Sequence, residues 1–310
     1  MNINKLKHYL LVFSKGVAMG AGDVVPGVSG GTIAFITGIY EELIDSLKSI
    51  NLEAVKILFS KGIPAAWDHI NGTFLLSLFS GVLLSVFSLA KLIGFCLENY
   101  PVLVWSFFFG LVCASIIYIL KQINKWTLVE ISALIIGTSL ALAVSYLKPA
   151  QLSSDWWVIM LAGSVAICAM ILPGISGAFI LVLLGLYPVI LSAITSFNFI
   201  ILLSFTCGCL CGLLVFSHIL SWLLHHFHNL TLALLTGFLL GSLNLLWPWK
   251  KTIETYTNRH GELVPLIREN ISPISYSELS GLDSYLSFSI VFFIIGLALV
   301  LGLEALGKKK

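Results

Sequence analysis

Twice in this chain a Pro-Gly-x-Ser-Gly segment interrupts an apolar stretch: VVPGVSGGTIAFITGIYEELIDSL at residues 24–47 and ILPGISGAFILVLLGLYPVILSAI at residues 171–194. At an offset of 147 the two copies keep Pro26/Pro173, Gly27/Gly174, Ser29/Ser176, Gly30/Gly177, Gly38/Gly185 and Tyr40/Tyr187. The 310 residues are 58% hydrophobic and only 10% charged, a composition of polytopic membrane proteins and not of soluble domains. In hydrocarbon every backbone polar group needs an internal partner, so such a break survives only inside protein or beside a wet cavity. Each copy therefore predicts a broken or re-entrant helix hairpin, one over residues 4–47 and one over 155–194.

Six further apolar stretches are long enough to cross a bilayer, which takes about 20 residues. They run over about 72–97, 102–120, 128–147, 199–224, 230–246 and 285–306. The hydrophilic segments 48–70 and 249–284 are the sizeable loops. A second repeat, residues 74–115 against 201–242 at an offset of 127, pairs Ser77/Ser204, Gly81/Gly208, Gly110/Gly237 and Ser115/Ser242. The expected fold is an all-α polytopic membrane protein of two repeats, 1–150 and 151–310, each a broken hairpin followed by three spans. An odd number of crossings per repeat makes the second copy inverted relative to the first.

With the N-terminus inside, the inner segments carry Lys5, Lys7, Lys15, Lys48, Lys56, Lys61, Lys121, Lys125 and Lys308 to Lys310. The outer ones carry Lys148, Lys250, Lys251, Arg259 and Arg268. This asymmetry predicts cytoplasmic N- and C-termini. Tyr100, Trp126, Tyr146, Trp156, Trp157, Trp247 and Trp249 fall at predicted span ends, as amphipathic rings do. A net charge of +2, with basic residues scattered among apolar runs, excludes a nucleic-acid-binding face.

Cys207, Cys209 and Cys211 cannot converge on a metal from one helix, because the middle residue points away from the outer two. His225, His226 and His228 read as a polar interfacial turn, with metal binding the alternative. No cofactor or catalytic residue is implied, and homo-oligomerisation is left open.

The breaks carry the candidate chemistry. Pro26 lacks an amide hydrogen, the glycines permit a tight reversal, and Ser29 can cap the helix that follows. Free amides at a helix N-terminus suit an anion without an arginine. Candidate binding residues are Pro26, Gly27, Ser29, Gly30, Gly31 and Thr32 in the first copy, and Pro173, Gly174, Ser176 and Gly177 in the second. Gly38 and Gly185 sit on the arms, where small residues also serve close packing.

Lys91 lies inside a span, and the repeat places His218 opposite it; such groups are a functional hypothesis, with snorkelling as the plainer reading. Asp23 borders the first break where the second copy has Met170, so it is a candidate for proton or cation coupling or a plain cap. Glu41 could carry protons.

The stretches GDVVPGVSGGTIAFITGIYEEL, LPGISGAFILVLLGLY, ENYPVLVWSFFFGL and GFLLGSLNLLWPW together resemble the polyprenyl-phosphate transporter family, also called domain of unknown function 368. The resemblance covers essentially the whole chain. It implies a bacterial inner-membrane protein that returns undecaprenyl phosphate, the lipid carrier of cell-wall precursors, from the outer to the cytoplasmic leaflet. Ala178 stands where the family often has serine, removing one hydroxyl from the second copy. The membrane phosphatases that act on undecaprenyl diphosphate have an arginine after the Pro-Gly-x-Ser; here Gly30 and Gly177 follow, which argues against phosphoryl-transfer chemistry. A carrier for small soluble anions is the other alternative.

Overall fold

The computed structural model describes residues 3–25, 29–147, 150, 152–257 and 263–307. Pro26, Gly27 and Lys308 to Lys310 therefore lie outside the described residues, as do Lys148 and Arg259.

The first break separates α1 (Ile3–Val24) from α2 (Gly30–Ile36), and α3 (Tyr40–Lys48) follows. Segment 48–70 is not an open loop but two short helices, α4 (Leu52–Lys61) and α5 (Ile63–His69). Asn51 caps α4 by accepting from the Glu53 and Ala54 amides. Three long helices then run in sequence: α6 (Gly72–Asn99), α7 (Pro101–Leu120) and α8 (Leu128–Tyr146).

The same order recurs. α9 (Trp156–Ile171) leads into the second break, α10 (Gly177–Leu183) and α11 (Tyr187–Ser196) follow it, and α12 (Phe199–His226) and α13 (His228–Leu246) come next. The chain closes with a two-stranded antiparallel hairpin of β1 (Lys250–Thr257) and β2 (Leu263–Asn270), a short α14 (Pro273–Ser280), and α15 (Leu286–Gly307). The all-α expectation thus needs one amendment. Segment 249–284 contains a β-hairpin, whose first strand is rich in the β-branched and aromatic residues that favour strands: Thr252, Ile253, Thr255, Tyr256 and Thr257.

α6, α7, α8, α12 and α13 are long and apolar enough to span a membrane, and α10 with α11 makes a further candidate pair bent by 106°. The arms after the breaks are therefore not continuous helices. Gly38 and Gly185 stand at left-handed kinks, φ +70° and +71°, that separate α2 from α3 and α10 from α11. Nothing lies within 4 Å of a Cβ built on Gly38, so this glycine is kept for its backbone angle and not for helix packing. The turn after each 28-residue helix is duplicated as closely: Tyr100 has φ −134° and ψ 48°, and Phe227 has φ −131° and ψ 48°.

Four helix pairs form the body: α1 with α6, α9 with α12, α7 with α15, and α8 with α13. Glycines set their spacing, since helices in lipid associate mainly through close packing. A Cβ on Gly81 would press into the Phe13 carbonyl, and one on Gly208 into the Met160 carbonyl. In the other two pairs Gly110 meets Phe293 and Gly296 meets Phe107, while Gly237 meets Leu134 and Gly137 meets Leu234. These contacts match at one offset of 127 on α7 and α13 and another of 159 on α8 and α15. α8 therefore packs on α13 of the C-terminal half and α15 on α7 of the N-terminal half, so the two halves of the chain are interlocked. α7 and α13 form the centre, each with 61% of its span buried, against 17% for α8 and 6% for α12.

Candidate functional site

The two breaks meet. Ser29 Oγ donates to the Met170 carbonyl at 2.7 Å, the Gly174 amide donates to Thr32 Oγ1 at 2.9 Å, and Tyr40 OH donates to the Ile171 carbonyl at 3.2 Å. Ser29 and Thr32 are each 1% exposed and Tyr40 is 2% exposed, so these bonds form in the interior, where an unmade partner is costly. Gly31 permits the approach: a Cβ there would collide with the Ile171 carbonyl. Gly174, at φ +86°, turns the second break so that its amide faces Thr32.

Ser29 is also the N-cap of α2, its hydroxyl accepting from the Gly31 amide at 3.1 Å. Ser176 does the same for α10, accepting from the Phe179 amide at 3.4 Å. The capping expected of Ser29 is thus present, and its repeat partner Ser176 caps α10 in the same way.

The first break departs from the expectation of free amides. Asp23 Oδ1 accepts from the Gly30 amide at 2.6 Å, and the Ser29 carbonyl accepts from the Thr32 amide at 2.9 Å. The start of α2 already holds an anion, and that anion is the side chain of Asp23. The cap reading of Asp23 is the one that the geometry displays.

Lys15, which the sequence reading counted only as an inner-side charge, completes this arrangement. Its Nζ donates to the Thr37 carbonyl at 2.7 Å, just past the C-terminal end of α2. α1 therefore sets a carboxylate at the N-terminus of α2 and an ammonium at its C-terminus, which matches the direction of the helix dipole. The signal was available in the spacing: Lys15 and Asp23 are eight residues apart, about 12 Å along a helix and about 80° apart around it, while α2 is about 10 Å long. The second copy has Ala162 and Met170 at these positions, so α10 has neither partner.

The second break is accordingly the open one. Gly177 and Ala178 begin α10, where no intrahelical acceptor reaches their amides, and these have no partner among the described residues. Ala178 is exposed and Ser176 is half-buried, whereas α2 is buried throughout. The pair of breaks thus has one side neutralised by its own acid and base, and one side with unpaired donors opening outward.

Lys91 and His218 are not joined to the breaks. Both side chains are exposed, and His218 Nδ1 lies 2.7 Å from the carbonyl of Leu214 on its own helix. Glu41 is also exposed and lies away from the break, with Oε1 3.0 Å from His228 Nε2. Two of the three histidines at the junction of α12 and α13 are therefore tied to α3: His228 faces Glu41, and His225 Nε2 lies 3.6 Å from Asp45 Oδ2.

Taken together, paired membrane-length helices, two helix breaks in contact and a recurring order of elements define a multi-pass α-helical membrane protein. The chain belongs to the undecaprenyl phosphate translocase-like family, whose pattern matches residues 19–264. A polyprenyl-phosphate transporter of Vibrio cholerae is 47% identical over 305 residues, covering 98% of this chain and 99% of that protein. A polyprenyl-phosphate transporter of Staphylococcus aureus is 34% identical over 252 residues, covering 76% and 84%. No solved structure matches the chain.

Proposed function

We propose that the protein is a transporter and not an enzyme, and that it moves undecaprenyl phosphate from the outer to the cytoplasmic leaflet of the bacterial inner membrane. The observation that carries this reading is the contact between the two breaks, with the Gly177 and Ala178 amides unpaired beside it. A prenyl phosphate keeps its tail in the bilayer, so only the phosphate needs a polar path. Unpaired amides and the Ser176 hydroxyl at an outward-facing break supply donors for phosphate oxygens without a basic side chain.

The two repeats act as inverted halves, with both termini cytoplasmic and the breaks near the midplane. Phosphate first meets the open second break, at Pro173, Gly174, Ser176 and Gly177. It then passes to the first, at Pro26, Gly27, Ser29, Gly30, Gly31 and Thr32, as the Ser29–Met170 and Thr32–Gly174 bonds part. Two anions cannot share the start of α2, so phosphate displaces the Asp23 carboxylate. Protonation of Asp23 is the step that couples transport to a proton gradient, and Glu41 lies on the proton's way out. Lys91 and His218 attract the anion from either side of the membrane.

The test is translocation by the purified protein in liposomes holding undecaprenyl phosphate, read with a membrane-impermeant reagent for the lipid phosphate. Protein-dependent loss of outer-leaflet signal is expected, and Gly177→Leu should abolish it. Flux of inorganic phosphate with no movement of the lipid would replace this reading with that of a small-anion carrier.

A further inference from the structure

A second polar site lies away from the breaks, where the C-terminal end of α3, the end of α5 and the last turn of α12 meet. It is a cavity of about 250 Å³ lined by Asp45, Lys48, Ser49, Asn51, His69 and His225. That is smaller than the roughly 300 Å³ at which pockets for drug-sized ligands begin, and it fits a headgroup.

The polar atoms in it are unequally satisfied. Ser221 Oγ donates to Asp45 Oδ1 at 2.7 Å, and His225 Nε2 faces Asp45 Oδ2 at 3.6 Å, so both oxygens of the one lining carboxylate are engaged. Lys48 Nζ donates to Ser221 Oγ at 3.1 Å, which uses one of its three hydrogens. Asn51 Oδ1 is taken up by capping α4, which leaves its amide group as the end that can serve a ligand. His69 Nε2 is buried and has no hydrogen-bond partner among the described residues. A buried ring nitrogen without a partner is uncommon and asks for a ligand or an ion.

We propose that this pocket binds a phosphate-class oxyanion, held by Lys48, the His69 ring and the Asn51 amide. Lys48 supplies the charge, the Asn51 amide and the His69 ring line the space beside it, and the Asp45 oxygens are turned toward Ser221 Oγ and His225 Nε2. A metal ion is the poorer match, because the free groups are an ammonium, an amide and one imidazole. In the transport reading on which this rests, the pocket lies on the cytoplasmic side, beyond the re-entrant α3, and receives the phosphate as it leaves the first break. α3 carries the pocket residues Asp45 and Lys48 and follows that break directly, so the two sites share one element.

The test uses the full chain in nanodiscs, with equilibrium binding of inorganic phosphate in one arm and of a short-chain prenyl monophosphate in the other. Saturable binding is expected in at least one arm, weakened at least about tenfold by Lys48→Met and by His69→Leu. Binding of both ligands assigns the phosphate group alone as the recognised part; binding of the prenyl compound only assigns a lipid headgroup; binding of inorganic phosphate only assigns a soluble anion. Lys48 is half-buried, so its variant remains informative if His69→Leu fails to fold. Wild-type protein that binds neither ligand, or variants that bind as wild type, would overturn the pocket. Liposome translocation is read separately with Gly177→Leu: lost translocation with intact pocket binding separates the two sites, and intact translocation without pocket binding sinks only this proposal.

Discussion

The amide of Gly174 donates to Thr32 Oγ1 at 2.9 Å across 142 residues of sequence, so the first helix after one break is bonded to the backbone of the other. The bond is buried, and its donor is the amide of a glycine at φ +86° in the break between α9 and α10. Thr32→Val keeps the shape and removes the acceptor. It should cost about 1–3 kcal/mol, the penalty for a buried group left without its partner. Thermal unfolding in detergent checks this, and a midpoint equal to wild type would show that the two breaks do not depend on this contact.

Glycines at the two breaks make a contrasting pair. Gly31→Ala drives a methyl into the Ile171 carbonyl, which belongs to backbone and cannot move alone, so the breaks must separate. Gly38→Ala meets no neighbour and only forces a left-handed angle on an L side chain, at about 1–2 kcal/mol. Lipid translocation should be lost in the first variant. The second should insert and transport, with a lower unfolding temperature.

Asp23→Asn retains an oxygen for the Gly30 amide but no charge to titrate. The protein should fold with near wild-type stability, while translocation driven by a proton gradient falls by about tenfold or more, equivalent to about 1.4 kcal/mol in the barrier. Wild-type recycling in cells that depend on this variant would remove the coupling role. Asp23→Leu, which leaves the amide without an acceptor, should lose stability as well.

Outside the membrane helices, burial of Lys250 beside Trp105, with Arg268 adding repulsion, lowers its pKa from 10.5 to about 7. In the unfolded chain the amine keeps its proton to near pH 10.5. Between these values the unfolded state binds more protons, so stability rises with pH from about 7 toward 10.5. Unfolding midpoints measured from pH 7 to 9.5 should climb, and Lys250→Met should flatten the climb. An unchanged slope would mean that the buried amine stays charged, held by the Leu245 carbonyl and the Trp105 ring.

Much of the helical frame was legible because membrane helices announce themselves by length and apolarity, and because the second repeat copies the first. α6, α7, α12 and α13 stand at stretches that hydropathy marks, and Ser29 caps the helix after the first break as expected, with its repeat partner Ser176 capping α10. Other features were hidden for definite reasons. Gly38 looks like any small residue on an apolar arm until its angle is known. Lys15 looks like an inner-side charge because a carbonyl partner leaves no trace in sequence. His69 is one residue in a short helix, and only folding brings it to Lys48 and Asn51.

Composition and repetition alone determine that this chain lives in a membrane, that it is built twice from one plan, and that each plan is interrupted where a helix should be continuous. Those are properties of local sequence, set by hydrophobicity, by proline's missing amide and by glycine's freedom. Tertiary structure alone decides that the interruptions touch, that α8 pairs with α13 and α15 with α7, and that Asp23 and Lys15 close one break while the other keeps its amides open. The reason is that partners such as Thr32 and Gly174 are chosen by proximity in space, and proximity across 142 residues is a property of packing, not of any segment.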